Sequence, residues 1–145
     1  MFCQLDESFV SEFQTGNYTY NAHKFSIDPK KFETDEKMKE FWTYTSTSKD
    51  GNGREFVATM EAKNYPIFGT QFHPEKTTQI FYEKRGGINH SWQSIKMNRY
   101  FADLFVQMAR ANTNSFGTYE ETQPYLIQNF DLVPTTLYEG DVYIF

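Results

Sequence analysis

The residues of this 145-residue chain whose types and spacing could do chemistry together are His73 and Glu75, separated by Pro74. Along an extended backbone, side chains two positions apart point to the same side, and proline stiffens the link between them. A carboxylate so placed fixes the tautomer of an imidazole and stabilises its protonated form. The ring can then take a proton from a nucleophile and return one to a leaving group. These are two members of a three-member nucleophilic constellation, and the third decides what the chain can do alone. The pair closes the stretch Asn64-Tyr-Pro-Ile-Phe-Gly-Thr-Gln-Phe-His-Pro-Glu75. Its apolar run predicts a strand from Ile67 to Phe72, buried on both faces, with His73 where that strand ends. In open α/β sheets ligands bind at the carboxyl ends of strands. The competing reading is a hydrogen-bonded histidine beside a solvated glutamate. The strand context, with Gly69 and Gln71 ahead of the histidine, favours the catalytic reading.

Three further candidates surround this pair. His23, followed by Lys24-Phe25-Ser26 near the end of a predicted strand, reads either as a second pocket wall or as a structural histidine. Cys3 is the only cysteine, which excludes an internal disulfide and a zinc site built on thiolates. A nucleophilic thiol on a sharp strand-to-helix elbow needs small neighbours, usually glycine. Cys3 is flanked by Met1, Phe2, Gln4 and Leu5 instead, so it is expected to be inert. Asn17-Tyr-Thr19 and Asn89-His-Ser91 match the glycosylation acceptor pattern, which permits a secretory location, and His90 reads as a loop histidine.

Composition bounds the rest. Apolar residues are 39% and aromatics 19%, enough for a packed core and against disorder. The net charge of −5, with no basic cluster, argues against nucleic acid and anionic membrane as partners. No apolar run reaches transmembrane length. The opening Met1-Phe-Cys-Gln-Leu-Asp6 has neither the basic region nor the apolar core of a signal peptide, so any targeting segment is expected to lie outside these residues.

The elements that must position the pair follow from periodicity. Phe2, Leu5, Phe9, Val10 and Phe13 give a helical stripe that Gly16 can end. Tyr18 to Ile27 reads as a strand, and Asp28-Pro29 as a turn. A short helix is expected from Thr34 to Trp42, with Thr34 as its N-cap. Thr43–Ser48 and Glu55–Glu61 read as two strands joined by the hairpin turn Lys49-Asp-Gly-Asn-Gly53. Residues 76–90 read as a loop with a Gly86-Gly87 tip. Ser91 caps a long helix to about Asn112, with Met97, Phe101, Leu104, Phe105 and Met108 on one face. The tail is loop-rich and ends in a strand-like Val142–Phe145. One domain, without repeat or linker, spans 1–145.

Together these pieces resemble the gamma-glutamyl hydrolases, a family within the class I glutamine amidotransferase superfamily. The resemblance is densest from Ala22 to Lys76. It includes Ala22-His-Lys-Phe-Ser26, residues 31–42, Glu55-Phe-Val-Ala-Thr-Met-Glu61 and Tyr65-Pro-Ile-Phe-Gly-Thr-Gln-Phe-His-Pro-Glu-Lys76, and continues through Gly87-Ile-Asn-His90 and Tyr143-Ile-Phe145. It implies an α/β, partial flavodoxin-like fold: the C-terminal half of the amidotransferase domain, a mixed sheet with flanking helices. It also implies that His73 is the catalytic histidine, Glu75 its orienting carboxylate and His23 a substrate-binding residue. The expected reaction is thioester-mediated hydrolysis of gamma-glutamyl bonds in folate polyglutamates, without metal or cofactor, in a lysosome, a vacuole or outside the cell. A homodimer stays open as a further association. In the family the nucleophile and oxyanion donors lie N-terminal to everything matched here, so this chain alone is expected to be inactive. It is also expected to expose an edge strand and an apolar patch. Two alternatives remain: a non-catalytic homologue that binds glutamyl ligands, and the glutaminase module of an amidotransferase.

Overall fold

The computed structural model describes residue 2 and residues 5–81, 86–134 and 142–144. Cys3 and Phe145 lie outside the described residues. Helix α1 (Glu7–Thr15) starts where Asp6 caps it: the Asp6 carboxylate accepts from the Phe9 N–H at 2.8 Å. Those bonds, with the Ser8 hydroxyl first and the Phe9 N–H second, hold the Asp6 carboxyl below its ordinary range. The helix ends at Gly16, as its sequence predicts.

The predicted helix over 34–42 is α3 (Glu36–Phe41), and a second short helix, α2 (Pro29–Thr34), precedes it where the sequence reads only a turn at Asp28-Pro29. Asp28 caps the first and Pro29 occupies its first turn, a position where the missing N–H costs nothing. Asp35, not Thr34, caps the second by accepting from the Met38 N–H. The Thr34 hydroxyl instead bonds back to the carbonyls of Lys30 and Lys31.

The strands β1 (Trp42–Lys49), β2 (Glu55–Ala62) and β3 (Phe68–Thr70) form an antiparallel sheet in the order β1-β2-β3. The turn between the first two is tied by the Asp50 carboxylate, which accepts from Asn52 and Arg54 N–H groups, and Gly53 takes φ 78° there. The register slips around Ser46, so that Thr45 and Ser46 both bring their hydroxyls to Thr59, at 2.7 and 2.6 Å. Thr59 is fully buried, and these two bonds satisfy it.

Beyond the sheet come the one-turn helix α4 (Lys76–Gln79) and the long helix α5 (Trp92–Arg110). Residues 76–90 are therefore not all loop: Thr77 and Thr78 hydroxyls close a turn on the carbonyls of Pro74 and Glu75. Ser91 caps α5 as expected, accepting from the Ser94 N–H. Met97 and Leu104 face the core, but Phe105 is 70% exposed, because the buried stripe runs through Ser94, Met97, Asn98 and Leu104 instead. The tail holds α6 (Tyr119–Thr122), two 3-10 turns, and the antiparallel pair β4 (Asp131–Val133) and β5 (Val142–Ile144).

Helices and sheets mixed along one chain bear out the α/β class, though every strand pair among the described residues is antiparallel. Phe2, Phe13, Phe72 and Phe101 meet in one cluster, with ring centroids 5.2–6.4 Å apart, and so join α1 and α5 to the residue before His73. Burying a side chain of this size contributes about 1.5–3 kcal/mol, so Phe72, 5% exposed, helps anchor the site. Phe25, Tyr65 and Ile67 are exposed, and β1 and β3 are the outer strands of the sheet.

Candidate active site

His73 and Glu75 come together. The Nδ1 of His73 lies 2.9 Å from Oε1 of Glu75. An ionised carboxylate can only accept, so opposite it Nδ1 is the donor, and in the neutral ring the Nε2 lone pair is left for another partner. Both side chains stay partly open to solvent, 38% and 52% exposed. The pair thus has the polarity of a general base with its orienting acid, on a surface that a substrate can reach.

The local fold explains the pairing. Strand β3 is shorter than its predicted 67–72 span and half-buried, not buried on both faces. Its register with β2 is extended by the Gln71 N–H to the Ala58 carbonyl, after which the chain leaves the sheet. The His73 N–H then bonds the carbonyl of Tyr20 at 2.9 Å, and the Tyr20 and His73 rings lie 6.4 Å apart. Glu75 stands at the head of α4, and this helix is held from outside. His90 Nδ1 donates to the Thr77 carbonyl at 2.9 Å, and its ring stacks on Phe81 at 4.2 Å. His90 is therefore a clasp on the turn that carries Glu75, more than the loop histidine its sequence suggests.

His23 has different company. Its Nε2 lies 3.2 Å from Oδ1 of Asn21, and its ring meets Phe56 edge-on at 5.2 Å. It is partnered by an amide and not by a charge, and it does not join the His73–Glu75 bond. The strand predicted from Tyr18 to Ile27 is absent. Its carbonyls are taken up one by one in place of a ladder: Ser94 and Asn98 both donate to that of Tyr18, the His73 and Val57 N–H groups donate to those of Tyr20 and Ile27, and Asn89 donates to the Asn17 carbonyl just ahead. Residues 17–20 are thereby strapped to α5. Ser94 and Asn98, four apart among the apolar positions of an amphipathic helix, are the signal that marks this strap in the sequence.

A cavity of about 350 Å³ opens beside the strap, lined by Phe13, Thr19, Asn21, Ser46, Ser48 and Phe72 among others. His73 and Glu75 are not among its lining residues. Among the described residues no cluster of histidine, cysteine, aspartate or glutamate could hold a metal ion, and no helix is long and apolar enough to cross a membrane.

A family model, glutamine amidotransferase class-I, matches residues 3–84. That span covers more than half of the chain and includes both members of the pair. The chain is 37% identical over 142 residues to human gamma-glutamyl hydrolase, covering 98% of this chain and 43% of the human protein. It is 31% identical over 142 residues to gamma-glutamyl hydrolase B of Dictyostelium discoideum, covering 95% of this chain and 40% of that protein. With gamma-glutamyl hydrolase 1 of Arabidopsis thaliana it shares 30% over 114 residues, covering 79% of this chain and 32% of the plant protein. The chain therefore spans less than half the length of these relatives.

Proposed function

The chain belongs to the class-I glutamine amidotransferase family, and we propose that it carries the acid–base half of a gamma-glutamyl hydrolase. The observation that carries this reading is the 2.9 Å contact between His73 Nδ1 and Glu75 Oε1, in a segment within the family match. In the proposed reaction His73 Nε2 accepts the proton of a cysteine thiol as the sulfur attacks the gamma-carbonyl carbon. It then delivers that proton to the leaving amine nitrogen, and a thioester remains. Water, deprotonated by the same nitrogen, adds to the thioester and releases the gamma-glutamyl carboxylate with the thiol regenerated. Glu75 holds the ring in the tautomer this shuttle needs and stabilises the imidazolium that forms between the steps. His23 contacts substrate from the Asn21 side. The substrate class is the small-molecule gamma-glutamyl peptide, since the relatives are named for that bond, with folate polyglutamates the members that the family resemblance implies. The lysosomal, vacuolar or extracellular setting of such enzymes is part of the same proposal, as is self-association into a homodimer.

Cys3 is not the thiol in this reading, because its bulky neighbours are unsuited to an elbow. Losing a triad member removes orders of magnitude in rate. The 145-residue polypeptide, purified alone, is thus expected to bind a gamma-glutamyl dipeptide without turning it over. The test combines three readouts: glutamate release from a gamma-glutamyl peptide, ammonia release from glutamine, and shifts of the His73 and His23 imidazole resonances on ligand addition. Imidazole shifts without turnover support the proposal. Glutamate release that disappears in Cys3→Ser would overturn the assignment of the thiol. Ammonia release from glutamine without cleavage of the peptide would move the chain to the glutaminase class.

A further inference from the structure

The two acceptor-type triplets meet in space, and the structure treats them differently. The side-chain Nδ2 of Asn89, the nitrogen to which a glycan would attach, donates to the carbonyl of Asn17 at 2.8 Å. Its Oδ1 accepts from the Ser91 N–H at 2.9 Å, directly ahead of the α5 cap that Ser91 provides. Both ends of the Asn89 amide are therefore in use, and the residue is half-buried. A sugar on Nδ2 would have to occupy the space where residue 17 packs, and would loosen the strap that ties residues 17–20 to α5.

Asn17 has the opposite surroundings. It is exposed, and it follows Gly16 in a stretch with neither helix nor strand. Its backbone carbonyl is what the fold uses, leaving the side chain without a hydrogen bond among those of the described residues. The half-buried Tyr18 ring turns back over Gly16, where any Cβ would collide with it, while Asn17 stays outside. Glycans on Asn-X-Ser/Thr are bulky and belong on the surface, and Asn17-Tyr-Thr19 meets that requirement without breaking a bond.

We propose that Asn17 is an N-glycan acceptor of this protein and that Asn89 serves as a structural amide that stays unmodified. The proposal rests on the secretory routing proposed above. It is tested with the full chain placed behind a cleavable secretion signal in a eukaryotic host. Enzymatic deglycosylation in heavy-oxygen water converts each occupied asparagine to labelled aspartate, and peptide mass spectrometry reads the two positions separately. The expected result is label at position 17 and none at 89, with Thr19→Ala abolishing the label and Ser91→Ala leaving it unchanged. Because the wild-type peptides give the answer, a variant that fails to fold does not obscure it. Occupancy at 89 equal to that at 17, or an unoccupied Asn17, would overturn the proposal. The same measurement on protein from its own cells separates the two ideas: label at 17 under forced secretion but nowhere in the native protein would count against the routing alone.

Discussion

The stretch from β2 to the middle of α5 and the tail after residue 112 are built on different principles. The first holds most of the buried residues, including Phe56, Val57, Ala58, Phe72, Met97, Asn98 and Leu104. Its segments are cross-tied by bonds between residues far apart in sequence, such as Asn98 to Tyr18 and His73 to Tyr20. The described tail residues include none that is buried, and Phe116, Tyr125 and Leu132 are exposed. Its order is local: Thr118 and Glu121 form a capping box, and Asn129 reaches back to the Gln123 carbonyl. His73 and Glu75 sit in the first kind of structure. A proton shuttle needs geometry that long-range packing fixes, whereas local bonds alone leave a segment free to open independently.

The largest effect that would break this contrast is at Met97, which is fully buried. Met97→Ala should lower global stability in denaturant titration by about 2–5 kcal/mol, as large-to-small core changes do. Leu132→Ala should stay within about 0.5 kcal/mol, the usual range for exposed sites. Comparable losses at the two positions would contradict the division.

Asn98→Ala comes next. It removes a buried donor from the Tyr18 carbonyl and should cost about 1–3 kcal/mol. It should also shift the amide resonances of Tyr20 and His73, since the strap it loosens leads to them. A change confined to α5 would show that the strap does not reach the site.

Thr118→Ala should cost about 0.5–2 kcal/mol, felt only as faster amide exchange within α6. A drop in the global transition would mean the tail is part of the core's cooperative unit. The smallest effect is at Asp6, whose folded carboxyl titrates below its ordinary value of 3.8. Its contribution is complete above that value and is lost as pH falls through the lowered one. Helix α1 should therefore loosen only in acid, and Asp6→Asn, which keeps an acceptor at the cap, should flatten that dependence.

Much of this was legible in the sequence where local chemistry decides structure. The hairpin at Lys49–Gly53, the Ser91 cap and the Gly16 stop follow from turn residues and caps, whereas His73 meets Glu75 across a bend into α4, with Glu75 in helical backbone, and not along the extended strand the sequence suggests. Two failures share one cause. Residues 18–27 have strand-like composition, but Ser94 and Asn98 claim the Tyr18 carbonyl, and the Tyr20 and Ile27 carbonyls take single N–H groups from His73 and Val57 in place of a ladder. Phe105 fits the apolar stripe, yet polar Ser94 and Asn98 take the buried face. Both outcomes turn on the bonds of Ser94 and Asn98 to the Tyr18 carbonyl, 76 and 80 positions away, which periodicity cannot see. The role of His90 was missed because its partner, the Thr77 carbonyl, lies 13 positions back on α4, beyond the reach of local turn and cap signals.

The central claim is that Glu75 holds His73 with its proton on Nδ1 and its Nε2 free. Long-range nitrogen–proton correlation spectra of the neutral imidazole test this directly. The expected pattern is a protonated Nδ1 and a bare Nε2 for His73, lost or weakened in Glu75→Ala. A neutral His73 protonated at Nε2, or a pattern unchanged when Glu75 is removed, would contradict it.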